Sequence, residues 1–238
     1  MGKNIIAQAR GHGGPTYRSP SFRYKGVASY PLISPTTMSG QVLDLLHCAG
    51  HSAPLASVKY DNGETVLLIA PEGIRVGDKV MAGPEAPIEL GNTLPLKNLP
   101  EGTVVYNIEG VPGDGGKFVR ASGGFGRIVS KMENKIIVKL PSKKQREFHP
   151  ECRACIGIIA GGGRPEKPML KAGYHYYKMK AETKLWQSVS GNAMNAVDHP
   201  FGNKRSLRKS KARPVSRHAP PGRKVGMIAA RRTGRKKM

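Results

Sequence analysis

The chain has 238 residues, with 39 Lys and Arg against 16 Asp and Glu, a formal charge of +23 at pH 7. A neutral or acidic-surfaced enzyme does not need such an excess; it implies a polyanionic partner. No apolar run approaches the roughly 18 residues of a membrane span, and 30 Gly with 19 Pro predict dense turns rather than long helices.

Apolar residues are 38 % of the chain, below the usual ~45–50 %, so one or two modest cores are expected. Three cysteines make no disulfide framework and suit a reducing compartment. The first residues form no apolar leader, and position 6 is Ile rather than the Ser or Thr of a myristoylation site. A cytoplasmic location with no membrane and no cofactor is expected.

In chain order, residues 1–43 carry five Lys or Arg and no acid. Rings alternate with cations there: Tyr17-Arg18, Phe22-Arg23 and Tyr24-Lys25. Such pairs stack on unpaired bases, favouring structured RNA or single strands over a regular duplex. Equally, the rings could plug the arm onto its own domain.

Residues 44–198 hold all sixteen acids and a net charge of +4. Strand signals recur at close spacing. Residues 54–60 and 65–70 flank Asp61-Asn62-Gly63, a strong hairpin signal. Residues 76–81 read as turn then strand, and 103–108 as a strand closed by the turn-rich 111–116. Residues 117–121, 127–131 and 135–140 continue the pattern, with Glu133-Asn134 as a turn, and 152–160 form the final strand. Many short strands without interposed helices predict small closed barrels, with residues 82–100 as the seam. Residues 171–184 read as a short helix or extended segment.

Gly113-Asp114-Gly115-Gly116 and Gly161-Gly162-Gly163 lack the Walker spacing and read as turns, although glycine lets backbone approach a phosphate. His149, Cys152 and Cys155 have ligand-like spacing, with Cys48, His47 and His51 as a possible fourth donor. Structural zinc normally uses two well-spaced pairs, and a Cys in a buried strand acts as a small hydrophobe, so no metal is expected. Asp198-His199 could be a carboxylate-oriented base, but no nucleophile or oxyanion motif accompanies it; a histidine that contacts RNA or orders the chain fits better.

Residues 199–238 carry fourteen Lys or Arg, no acid and few large apolar groups. Their burial cannot offset backbone ordering at about 1–2 kcal/mol per residue. The prolines argue against an amphipathic membrane helix, which leaves nucleic acid as the polyanion, bound with steep salt dependence.

Long stretches of text then match a known family. They include Gly13-Gly14-Pro15-Thr16-Tyr17-Arg18-Ser19-Pro20 continuing to Gly26, Ala70-Pro71-Glu72-Gly73-Ile74-Arg75-Val76-Gly77, and residues 91–103. Later matches are Cys152-Arg153-Ala154, residues 160–164, Leu170-Lys171-Ala172-Gly173, Ala193-Met194-Asn195-Ala196-Val197-Asp198-His199-Pro200, residues 220–226 and residues 228–235. By these the chain resembles the L-two family of large-subunit ribosomal proteins, in its archaeal form.

The resemblance implies an all-β fold, an OB-fold barrel followed by an SH3-like barrel, with extended basic arms. The expected divisions are 1–35 (N-terminal extension), 36–97 (OB-fold-like barrel), 98–175 (SH3-like barrel) and 176–238 (C-terminal extension). It further implies a structural, non-enzymatic role on large-subunit rRNA near the peptidyl-transferase region. Neighbouring ribosomal proteins would be partners, as would tRNA and small-subunit rRNA at the subunit interface, in support of subunit association and tRNA placement.

The residues expected to bind RNA are Arg18, Arg23, Lys25, Arg120, Arg127 and Arg153. In the tail they are His199, Lys204, Arg205, Arg208, Arg213, Arg217, Arg223, Lys224, Arg231, Arg232 and Arg235. Departures from the family pattern are Ser190 where it has Arg, a short Gly202-Asn203 after His199-Pro200, Gly123-Gly124-Phe125-Gly126 where it has Gly-Thr-Tyr-Ala, and Cys155 where it has Thr. The rival readings are a basic DNA-compacting protein, to be separated by competition with duplex DNA, and a hydrolase using Asp198 and His199.

Overall fold

A computed structural model describes residues 2–203 and 214–231. It divides into two compact units, Ser21–Met169 and a second made of Met1–Pro20 with Leu170–Met238.

The Ser21–Met169 unit is built from ten short strands: β1 Met38–Leu46, β2 Leu55–Tyr60, β3 Thr65–Ile69, β4 Lys79–Ala82, β5 Thr93–Pro95, β6 Val104–Tyr106, β7 Gly126–Lys131, β8 Ile136–Lys139, β9 Gln145–Phe148 and β10 Arg153–Ile156. Their order in space is β3-β2-β1-β4-β5-β10-β6-β7-β8-β9. All neighbours are antiparallel except β4 and β5, which meet in parallel at Ala82 and Thr93. The fold is therefore all-β, made of two modules joined through β4 and β5.

The first module starts from the expected hairpin. Strands β2 and β3 pair from Leu55 opposite Ile69 to Lys59 opposite Thr65. Gly63 takes φ +84° at the turn, and Asn62 Oδ1 accepts the Glu64 N–H at 2.9 Å, the local bond that makes Asn a turn residue. Inward side chains Val42, Leu55, Val58, Leu68 and Val80 form a buried cluster with Tyr30, Tyr106 and Ile159. In the second, Val105, Ile108, Ile128, Ile136, Val138 and Phe148 close on Ala86, Leu94, Leu96 and Leu99. Each buried Val, Leu, Ile or Phe among them contributes about 1.5–3 kcal/mol by leaving water.

Two sequence expectations need correction, and one strand was not foreseen. Residues 117–121 form no strand but only an isolated bridge between Ile108 and Phe118; Val119 has φ +55°, a left-handed conformation that interrupts any ladder. The final strand stops at Ile156 because Gly157, at φ +120°, turns the chain away. The longest strand, β1, gave a weak signal: Gly40, Gln41 and Asp44 interrupt it and Val42 is its one β-branched residue, a composition poor in strand formers; its register also shifts between Val42 and Asp44.

In the other unit, residues Ile6–Gly11 form a short helix α1 and residues Ala172–Ala181 a helix α2. α2 settles the open reading of residues 171–184 as a helix. It ends in a Schellman turn, with Thr183 N–H on the Lys180 carbonyl at 3.1 Å and Lys184 N–H on that of Met179 at 2.9 Å. Thr183 occupies the left-handed position at φ +56°, where glycine is usual. Among the described residues no helix is long and apolar enough to cross a membrane.

Candidate nucleic-acid interface

The expected RNA-binding residues separate into outward and inward groups. In the Ser21–Met169 unit, Arg23 and Lys25 are exposed on the segment before β1, and Arg127 projects outward from β7. Arg23 lies 5.3 Å from the Phe22 ring centroid, and that ring is 83 % exposed, so cation and ring face solvent together. Tyr24 instead packs against the first core, so only part of the ring-and-cation run plugs the arm onto its domain.

Arg120 and Arg153 point inward. The Arg120 guanidinium donates to the Gly116 carbonyl at 2.9 Å and the Ala28 carbonyl at 2.7 Å. Arg153 pairs with Glu109, its Nε and Nη2 donating to Oε1 at 3.0 and 2.8 Å. Arg153 Nη1 reaches the Pro31 carbonyl at 2.8 Å, and the guanidinium sits 5.0 Å from the Tyr30 ring centroid. The two arginines thus clamp residues 28–31 to the β-unit, which a planar fork of five donors suits.

The glycine-rich turn after β6 is organised by the same carboxylate. Glu109, fully buried, accepts the N–H groups of Gly113 at 3.2 Å, Gly115 at 3.3 Å and Arg153 at 2.8 Å. Asp114 accepts those of Gly110, Val111 and Gly116 at 3.0, 3.2 and 3.1 Å. Backbone N–H groups do converge on anions here, as glycine-rich turns allow, but the anions are the protein's own. Gly116, at φ +92°, lies so close to Asn107 that a Cβ would overlap it. Sequence reading missed Glu109, because an isolated acid in a turn gives no sign of where its carboxylate goes.

In the other unit, Arg18, Arg217, Arg223, Lys224 and Arg231 are exposed. Among the described residues, none of the exposed cations Arg18, Arg23, Lys25, Arg127, Arg217, Arg223, Lys224 and Arg231 is paired with a carboxylate. His199 is half-buried; its Nδ1 accepts the Phe201 N–H at 3.1 Å, and its ring lies 5.1 Å from that of Phe201. Asp198 faces Lys3 at 3.7 Å instead. The loop closes through Gly202 N–H on the His199 carbonyl at 2.9 Å and Asn203 N–H on that of Met194 at 3.0 Å. A Cβ at Gly191 would strike the His199 ring, so the imidazole is held by packing. Lys204, Arg205, Arg208, Arg213, Arg232 and Arg235 lie outside the described residues.

The thiols are dispersed in the cores. Cys48 and Cys155 belong to the first cluster and Cys152 to the second. Burial raises the Cys155 thiol pKa and pushes that of Cys152 up to about 11. His51 Nδ1 is 3.2 Å from Cys48 Sγ, and the Cys152 N–H is bonded to the His149 carbonyl at 3.0 Å. Among the described residues, no three His, Cys, Asp or Glu side chains gather to hold a metal ion.

Two small β-modules with outward, unpaired cations and acid-free ends define a basic, strand-built scaffold. Known families identify which one. The family described as "Ribosomal Proteins L2, RNA binding N-terminal domain" matches residues 34–82, and "Ribosomal Proteins L2, C-terminal domain" matches residues 89–219.

Over 234 residues the chain is 53 % identical to large ribosomal subunit protein uL2 of Archaeoglobus fulgidus, covering 98 % of this chain and 99 % of that one. It is 49 % identical to the protein of the same name in Methanosphaera stadtmanae and 48 % to that in Methanothermobacter thermautotrophicus, each over the full length of both chains. The chain belongs to the ribosomal protein L2 family, whose members are structural and whose fold is an OB-fold barrel followed by an SH3-like barrel.

Proposed function

We propose that this protein is a structural constituent of the large ribosomal subunit, in the cytoplasm, and that it binds and stabilises large-subunit rRNA. The observation that carries the reading is the set of exposed, unpaired cations flanked by acid-free ends. Relatives of nearly full length named as large-subunit proteins support it. Phosphates are the groups such cations neutralise, with release of counterions.

In this reading residues 1–35 and 176–238 are extensions that follow the RNA, and barrels at 36–97 and 98–175 fix their starting points. The second barrel's core reaches back to Ala86. Contact residues are Arg18, Arg23, Lys25, Arg127, His199, Arg217, Arg223, Lys224 and Arg231, with the tail cations Lys204, Arg205, Arg208, Arg213, Arg232 and Arg235. Arg120 and Arg153 act indirectly, by holding residues 28–31.

A position near the peptidyl-transferase region, next to tRNA and small-subunit rRNA at the subunit interface and among neighbouring ribosomal proteins, follows from the family resemblance. The protein supports peptide-bond formation without doing chemistry: His199 Nδ1 is taken by the Phe201 N–H, and Asp198 does not orient it.

Sucrose-gradient sedimentation of a lysate, with and without ribonuclease, tests the proposal. Migration with the large subunit, collapsing to the top after ribonuclease, is expected. Sedimentation as a free small protein, or with DNA, overturns it.

A further inference from the structure

The unit made of Met1–Pro20 and Leu170–Met238 contains a cavity of about 240 Å³. We propose that it seats one unstacked nucleotide of the RNA, the base against Tyr17, Tyr176 and Trp186 and the phosphate against Arg10, Arg18 and Lys180. The proposal rests on the RNA-binding reading above and adds a site and a ligand to it.

Size, lining and charge agree on that ligand. The volume lies below the roughly 300–1,000 Å³ typical of drug-sized ligands, which suits a single base rather than a stacked pair. Three aromatic side chains border the cavity, and no carboxylate lines it. Stacking platforms beside cations are the chemistry that binds unpaired bases, every base having a π-face and every nucleotide an anionic phosphate.

The ring of Tyr176 meets that of Tyr177 edge-on at 5.4 Å and otherwise stands open. Helix α2 has no buried residue, yet Tyr174, Tyr176 and Tyr177 stand 61, 45 and 68 % exposed on it. Exposed aromatic surface of this kind is free to stack on a ligand's base.

The site is also organised. The Schellman turn at the end of α2 directs the chain from Thr183 into Trp186, whose indole stacks on His175 at 4.6 Å and 20°. That contact fixes the indole while it still borders the cavity. Arg10 Nη2 reaches the Thr183 carbonyl at 3.4 Å, which ties the N-terminal segment to the same turn. Lys184, also at the cavity, is paired with Glu182 at 2.7 Å, so Arg10, Arg18 and Lys180 are the cations left for a phosphate. A base held in an A-form helix could not enter, because it is already paired and stacked.

Trp186 is the protein's one tryptophan, so its emission reports on this site alone. Full-length protein would be titrated with a short unstructured oligoadenylate and with a blunt RNA duplex, both end-labelled so that anisotropy measures binding independently. The oligoadenylate is expected to quench Trp186, and the duplex to bind without quenching.

Tyr176→Ala should weaken oligoadenylate binding by roughly 5- to 150-fold, the loss of one base-stacking platform, whereas Tyr176→Phe retains it. Arg18→Ala should weaken it as well. Tyr176 and Arg18 are both exposed, and circular dichroism checks that each variant stays folded. If the oligoadenylate binds with unchanged emission and equal affinity in Tyr176→Ala, the cavity proposal falls and the RNA-binding reading survives. If neither RNA binds, both fall.

Discussion

Replacing Glu109 tests whether Arg153 is part of the fold or part of the RNA contact. The Glu109 side chain has no exposed surface, that of Arg153 retains 13 %, and their closest contact is 2.8 Å. The carboxylate accepts two bonds from the guanidinium and three from the N–H groups of Gly113, Gly115 and Arg153. In Glu109→Gln the amide oxygen can serve one side of that ring of donors, and the amide NH₂ must then face the other. Breaking a buried pair from one side costs about 3–5 kcal/mol, because a charge stays buried without its partner. Since domains are stable by only about 5–15 kcal/mol, urea unfolding followed by far-UV circular dichroism should show a large drop in midpoint. The double variant Glu109→Gln with Arg153→Met should lose less than the two single losses combined, because no unpaired charge is left. A loss under about 1 kcal/mol in Glu109→Gln would refute the argument. As a companion measurement, the charge-removing double variant Glu109→Gln with Arg153→Met should leave the salt slope of rRNA binding unchanged, whereas removing the charge of a phosphate-contacting Arg would lower it by about one unit.

Further predictions concern titration, thiols and the α2 turn. The His51 pKa is lowered below its usual 6.5 by burial first and then by the Arg120 charge. The unfolded chain therefore takes up a proton at higher pH than the folded one. Stability should be full above about pH 6.5 and fall as pH drops from there through the folded value; His51→Gln should remove that component when midpoints at pH 7.5 and 5.5 are compared. All three cysteines are buried, so the native protein should resist a thiol-labelling disulfide reagent at pH 8 and react with three equivalents in urea. Rapid labelling of Cys152 or Cys155 in the native state would contradict the packing described here. Thr183→Gly should stabilise the end of α2 by about 1 kcal/mol, since glycine tolerates a left-handed φ and a β-branched residue does not. Slower amide exchange at Thr183 and Lys184 would show it, and unchanged exchange would count against strain at that residue.

What could be read in the chain depended on whether the information was local. The β2–β3 hairpin was legible because Asn62-Gly63 supplies a turn between two β-branched runs. Strands β7 and β8 were legible for the same reason. Strand β1 was not, because Gly40, Gln41 and Asp44 interrupt it and Val42 is its one β-branched residue. Residues 117–121 look like a strand by composition, yet Val119 has a conformation that composition does not encode. The inward roles of Arg120 and Arg153 were also hidden: each is fixed by residues far away in sequence, Ala28 and Pro31, so a basic side chain looked free when it was already bound. The nucleotide cavity escaped notice too, because Tyr17 and Trp186 lie far apart in the chain. The repeated pairing of rings with cations was its only trace.

The distribution of acids decides which cations are left for phosphate. Within residues 44–198 Arg153 is paired with Glu109, Lys97 with Glu151, Lys135 with Glu147 and Lys184 with Glu182. Residues 199–238 contain fourteen Lys or Arg and no acid at all, so nothing within that segment can neutralise them. The salt dependence of RNA binding should therefore reside mainly in the tail. If half of its cations meet phosphates, changing all of them to Gln in the full-length chain should reduce the slope of log affinity against log salt by roughly 5–6 units. Neutralising Arg127 and its exposed neighbours on β7 and β8 should change it by only one or two. Equal losses from the two sets would mean that the barrels carry as much of the phosphate contact as the tail does, and the asymmetry of charge along the chain would need another explanation.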